Sequence, residues 1–191
     1  MYEFKDLTGV TTVATIAVGA YAFTDVFSTL ALIIQGPGDE TSFRAAEALL
    51  ILNFVVLIAC LIIVGRWIYR ASTNAHAMHS EMTISPGWAV GWYFVPFANL
   101  IKPLHAMREV WWASHESSGG YEENVPILTI WWTLWITSNV AANIAYRFEP
   151  IEPALNLIAT ALTLPLCFVL IRIMRDVAQS QNATRHEVTF A

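Results

Sequence analysis

SPGWAVGWYFVPFANLIKPLHAMREVWWASH, residues 85–115, decides how the rest of the chain is read. Its first half is apolar enough to enter a bilayer. Yet it carries Pro86, Pro96 and Pro103, where an uninterrupted spanning helix avoids proline or tolerates one as a kink. Its second half has amphipathic helical spacing and ends on Trp111 and Trp112, as expected of a helix lying at a membrane interface. The stretch is predicted to be a proline-broken, re-entrant or interfacial segment.

On either side of it lie pairs of apolar runs. Residues 7–34 and 44–69 precede it, and residues 125–146 and 153–174 follow it. Each run is long enough to cross a hydrocarbon core of about 30 Å. The turn-forming GPGDETS separates the first pair, RFEPIEP separates the second, and the second run stops on the interfacial RWIYR. The composition agrees: 56% of the 191 residues are hydrophobic and 13% charged, against roughly a quarter charged in soluble domains. The fold expected is an all-α integral membrane bundle of four transmembrane helices over residues 1–176. Residues 177–191 are polar and are predicted to be a disordered tail.

Other classes are disfavoured. A net charge of −5 supplies no basic face for nucleic acid. Cys60 and Cys167 fall inside apolar runs, which argues against a disulfide framework or a cysteine-based metal site. MYEFKDLTGV lacks the basic n-region and small-residue cleavage site of a secretory signal, so the first apolar run is expected to remain in the protein.

Cytoplasmic flanks accumulate Lys and Arg, and this sets the topology. If the central segment enters and leaves on one side, Lys5, Arg66, Arg70, Lys102, Arg108, Arg172, Arg175 and Arg185 share that side, leaving Arg44 and Arg147 outside. If the segment crosses, the bias largely disappears. The four-span arrangement is therefore expected, in a bacterial inner membrane with both termini cytoplasmic. Asp39, Glu40, Glu47, Glu149 and Glu152 then give an acidic outer face.

RWIYRASTNAHAM followed by the central stretch resembles a bacterial integral-membrane family catalogued as domain of unknown function 4328. The residues that carry the resemblance are Arg70, Asn74, Pro86, Gly87, Trp88, Trp92, Pro96, Asn99, Pro103, Met107, Glu109 and Trp111. It implies a multi-pass membrane fold and brings no catalytic residue, ligand or cofactor with it.

Three groups of residues remain as candidates. In the central segment, Pro96 and Pro103 free backbone groups that the Asn99 amide can restore, making a structural corner. The sharper alternative is a ligand or ion site built from the freed carbonyls. His105 and Glu109, one helical turn apart, form a possible acid–base pair, and His76, His79 and Glu81 a weak metal set. HExxH, CxxC pairs, GxSxG and a phosphate-binding glycine loop are absent from the sequence; no catalytic residue, metal or cofactor is predicted. Within the spans, Asp25, Asn53, Asn139, Asn143 and Asn156, with Thr160 and Thr163, are expected at similar depth as a polar layer toward the outer face. Such a layer serves as interhelical hydrogen bonding or lines a pocket or pore.

The function expected is a non-enzymatic membrane module. Trp88, Trp92, Pro96, Asn99, Pro103, Glu109, Trp111 and Trp112 are its binding surface for membrane lipids, a membrane-protein partner or another copy of itself. A small channel or transporter around Asp25 is the alternative, and a membrane-embedded enzyme the third reading.

Overall fold

The computed structural model describes residues 2–34, 39–115, 125–148 and 153–190, with side chains at 146, 148, 153, 154 and 185–190 left aside. The described residues form helices and turns and no strand. Helix α1 is Thr8–Ile34, α2 Glu40–Met78, α3 Pro86–Gly91, α4 Lys102–His115, α5 Pro126–Phe148 and α6 Pro153–Phe190; two short 3₁₀ turns, Trp92–Phe94 and Ala98–Leu100, join α3 to α4. Glu149 and Glu152 of the expected acidic face, and residues 36–38 and 149–152 of the GPGDETS and RFEPIEP loops, lie outside the described residues.

Local chemistry explains where the helices start. Asp6 accepts hydrogen bonds from the Thr8 backbone N–H (2.8 Å) and hydroxyl (2.7 Å) at the head of α1. Asp39 accepts from the Thr41 N–H at 3.0 Å as the N-cap of α2. Pro86, Pro126 and Pro153 are the first residues of α3, α5 and α6, and Pro103 is the second of α4. At these positions the missing N–H is an unpaired one anyway and the fixed φ already suits a helix. The prolines that break the central stretch are thus mostly helix starts.

Three helices are long and apolar enough to cross a membrane: α1, α2 and, over Leu155–Thr184, α6. α5 has the length, but its Trp, Thr and Asn content keeps it out of that set. α2 has 39 residues, which at 1.5 Å each span about 58 Å, nearly twice a hydrocarbon core. The excess lies at one end of the bundle. There the N-terminal strap before α1, the end of α2, the central segment and the C-terminal half of α6 pack together. We call this the capped end and the other the open end.

The core sits at the capped end. Leu7, Trp67, Ala71, Val110, Leu128, Ile173, Met174 and Val177 are buried there. α3 packs onto α2 at Gly65, where an added Cβ would lie 3.5 Å from Val90. Toward the open end α1, α2 and α6 present aliphatic and aromatic side chains outward, among them Phe23, Phe54, Ile62 and Phe168. α1 packs between α2 and α6, and α5 packs on α6.

Two expectations are corrected. The polar sequence after residue 176 continues α6 to Phe190, and Val177, Ala178 and Gln181 are buried, so residues 177–184 are packed helix. Polar content alone does not mark a tail where the residues that recur on one helical face, here Val177, Ala178 and Gln181, meet a neighbour. The run expected over residues 44–69 likewise belongs to a longer packed helix: α2 runs on to Met78 and buries Ala71, Ser72, Asn74 and Ala75, and the connector 79–85 follows it.

Candidate functional site

The central segment leaves the capped end and returns to it. His79 Nε2 lies 3.0 Å from the Ala113 carbonyl, so the two ends of the segment meet. Glu109 ties the connector down: its carboxylate accepts from the backbone N–H of Thr83 (3.2 Å) and of Ile84 (3.0 Å) and from the Thr83 hydroxyl. His105 is exposed. Glu109 is thus a clamp on residues 83–84, where the sequence offered it as half of an acid–base pair.

Between these fixed ends the chain makes a tip. Trp88, half exposed, stacks on Trp92 with ring centroids 4.4 Å apart, and a Cβ on Gly91 would meet the Trp88 ring at 3.1 Å. Lys102 Nζ stands 5.8 Å from the Trp92 ring centroid, within cation–π range. Tyr93 points inward, edge-on to Trp132 and Trp135 at 6.4 and 6.0 Å, and burial pushes its hydroxyl well above the usual phenol range. Phe94 and Phe97 point outward with 82% and 85% of their surface exposed, beside the exposed Leu100 and Ile101.

Phe97 has φ of 62°, a left-handed conformation that costs a bulky residue about 1–3 kcal/mol. The break is closed by a residue the sequence did not offer for the role. Trp132 Nε1 donates to the Leu100 carbonyl at 2.9 Å, whereas the Asn99 amide makes no hydrogen bond to the break among the described residues. Pro96 lies in the turn before the second 3₁₀ piece, and Pro103 is buried at the head of α4.

Trp111 and Trp112 are half-buried and pack toward the core, stacked on His115 (4.3 Å) and tilted against His79 (5.1 Å). The outward aromatic side chains are Trp88, Phe94 and Phe97. His76 and His79 are structural in the same way: His76 Nδ1 lies 2.8 Å from the Ser72 carbonyl, and its ring lies against Tyr2. Among the described residues no group of three His, Cys, Asp or Glu is placed to hold a metal ion.

A buried polar hub holds the capped end together. Asn74, fully buried, accepts from the Lys5 N–H (2.9 Å) and donates to the Lys5 carbonyl (2.7 Å) and to Gln181 Oε1 (3.0 Å). Gln181 in turn donates to the Ala71 carbonyl (3.1 Å) and the Ser114 hydroxyl (3.0 Å). Ser180 donates to the Ser114 carbonyl, and Trp67 Nε1 to the Thr11 hydroxyl at 2.8 Å. One side chain thus treats the strap as a neighbouring strand would, and α2, α4, α6 and the N-terminal strap are joined. The spacing of polar residues does not reveal this hub, because Asn74 and Gln181 are 107 positions apart.

The open end carries a smaller polar cluster. Asn53 accepts from the Thr24 hydroxyl at 2.8 Å, and Thr29 and Thr160 share a hydrogen bond of 2.7 Å. Asp25 lies against Thr160 and Asn53, and one of its carboxylate oxygens is buried without a partner. The predicted layer is only partly assembled. Asn139 and Asn143 are exposed on α5, each bonded to its own helix at the Trp135 (2.7 Å) and Asn139 (2.8 Å) carbonyls. Asn156 is half-buried and makes no hydrogen bond to the cluster among the described residues. The expected shared face is not formed, because the Asn139 and Asn143 amides bond to α5 itself while the cluster is built from α1, α2 and α6.

The class defined by these features is an all-helical bundle with apolar, membrane-length helices and a folded-back aromatic segment at one end. The family described as domain of unknown function (DUF4328) matches residues 40–179, and the chain belongs to it. The match takes in α2, the central segment, α5 and most of α6. No curated protein and no solved structure matches the chain.

Proposed function

We propose that this DUF4328 protein is a multi-pass bacterial inner-membrane module with four spans, α1, α2, α5 and α6, and both termini cytoplasmic. It acts without catalysis, by engaging lipid or a membrane partner through the tip of its central segment. The observation that carries this reading is the outward pair Phe94 and Phe97 on a strained backbone. Rigid aromatic side chains held in solvent have nothing to gain there, whereas an apolar layer stabilises each by roughly 1.5–3 kcal/mol.

The level of the tip supports a shallow insertion. α3 meets α2 at Gly65, next to the exposed Arg66 where the apolar stretch of α2 ends. Phe94, Phe97, Leu100 and Ile101 then enter the boundary between headgroups and acyl chains, with Lys102 and the Trp88–Trp92 stack at the headgroups. The meeting of His79 with Ala113 supports entry and exit on one side, in keeping with the charge bias. Glu109, committed to residues 83–84, is a poor candidate for proton transfer.

The test is purification in native-lipid nanodiscs of the wild type and of Phe94→Ser/Phe97→Ser, with mass spectrometry of what accompanies each. Loss of a stoichiometric lipid or protein from a bundle that stays folded is expected; identical co-purification overturns the role of the tip. The unpartnered Asp25 oxygen favours a second reading, a small transporter. Asp25→Asn then abolishes an ion- or proton-coupled flux, and unchanged flux removes Asp25 from the mechanism.

A further inference from the structure

We infer that α5 docks a second copy of this chain through its exposed asparagine face, centred on Asn139 and Asn143. The inference rests on the proposal that α5 spans the membrane. No charged residue occurs between Pro126 and Tyr146, so α5 has no ionic obstacle to entering a bilayer. Yet it misses the hydropathy of the other three long helices, and part of that deficit lies on its outward surface. Thr133, Thr137, Asn139 and Asn143 are all exposed there, beside Val140 and Ile144. The exposed surfaces of α1 and α2 are rich in Phe, Ile, Leu and Val instead.

An asparagine facing hydrocarbon is costly unless its amide is satisfied. Asn139 and Asn143 each place one amide N–H on a backbone carbonyl of their own helix. That leaves a second N–H and an oxygen on each. A side chain holding both a free donor and a free acceptor is complementary to itself. Across a two-fold axis along the membrane normal, parallel α5 helices set Asn139 against Asn139 and Asn143 against Asn143 of the partner copy, an isologous interface. A partner of opposite charge is not called for, because the face carries no charge. Among the described residues α5 packs chiefly on α6 and on α4, and its Asn139–Asn143 face is exposed.

The experiment uses the full chain in native membranes with Cys60 and Cys167 replaced by Ala. Cysteine placed at Asn139 is expected to cross-link to its copy under mild oxidation, whereas cysteine at Ile62 of α2 is not. In nanodiscs, Asn139→Leu/Asn143→Leu weakens the dimer by at least about tenfold, the lower limit expected for the loss of two interhelical asparagine contacts. Asn139→Gln, which keeps donor and acceptor, retains most of it. A monomeric wild type, equal cross-linking at position 62, or a different protein held at this face overturns the inference. So does modification of the cysteine at 139 by a membrane-impermeant thiol reagent, which would make the face the wall of a water-filled cleft. Cysteines at 118 and 149 are labelled separately: labelling from opposite sides establishes the span, and labelling from one side overturns the span and the dimer face with it.

Discussion

The two ends of this bundle are built on different physics. At the capped end, Trp67, Leu128, Met174 and Val177 are buried, and a continuous hydrogen-bond network links residues 5, 74, 114 and 181. At the open end, the most apolar stretch of α2 has only 6% of its residues buried within the protein, and the polar contacts are a few hydroxyl pairs. The capped end is packed as a water-soluble domain is packed, where apolar burial and satisfied polar groups supply stability. The open end instead turns apolar side chains outward on membrane-length helices, compatible with an apolar surrounding, and little of its surface is buried by helix–helix contact. The central segment meets α2 at Gly65, between the two regions.

The comparison is broken most directly by removing the last part of α6. Ending the chain at Asp176 deletes Val177, Ala178 and Gln181, all buried at the capped end. The fully buried Val177, the buried Ala178 and, with Gln181, the centre of the polar hub are lost, which is expected to cost about 4 kcal/mol. α1 and α2 should still insert, because their apolar faces look outward. Protease sensitivity confined to residues 70–115, in a chain that remains in the membrane, is the expected result. A truncated protein as resistant as the wild type would mean that the capped end is held by something other than its packing.

Asn74→Ala sharpens the same contrast with a smaller change. It leaves the Lys5 N–H and carbonyl and Gln181 Oε1 without a partner. An unsatisfied buried group costs roughly 1–3 kcal/mol, and water can reach the exposed Lys5, so a net loss of about 2–3 kcal/mol is expected. For a chain of this size that is a fall of about 5–10 °C in the midpoint of thermal unfolding. The strap should loosen first, seen as faster amide exchange at residues 4–7. A fall of less than about 2 °C would show the hub to be ornamental.

What could be read from the sequence follows the same division. The open end was legible, because apolar helices announce themselves by long apolar runs: residues 7–34 and 44–69 need no knowledge of their neighbours to be recognised. The prolines likewise marked real discontinuities at Pro86, Pro96 and Pro103. The capped end was not legible, because its helices are amphipathic and their meaning depends on what packs against them. Gln181 reads as tail until Asn74 and Ser114 are seen around it. Trp111 and Trp112 read as interface anchors until His115 and His79 are seen beside them. Phe94 and Phe97 were passed over because composition cannot tell an outward aromatic from an inward one; the bulky residue forced into positive φ between the two prolines has no signature in sequence. Asn139 and Asn143 bond to their own helix and do not join the Asp25 cluster, since residue count does not give helix order.

The smallest effect belongs to the open end and is the finest test of the division. Thr29→Val removes the Thr29–Thr160 hydrogen bond of 2.7 Å and keeps the shape of the side chain. Interhelical hydrogen bonds in membranes average about 0.6 kcal/mol and reach about 1.7 at most. In a lipid-like medium the unfolded reference also finds partners, and Thr160 still has Asp25 beside it. The expected loss is therefore about 0.5 kcal/mol, or a 1–2 °C fall in the unfolding midpoint in nanodiscs. A loss comparable to that of Asn74→Ala would mean that the Asp25 cluster is a tightly coupled network. The open end would then be a second folded core, and the transporter reading would gain at the expense of the tip. A loss near zero leaves the open end as lipid-solvated helices pinned from the other side.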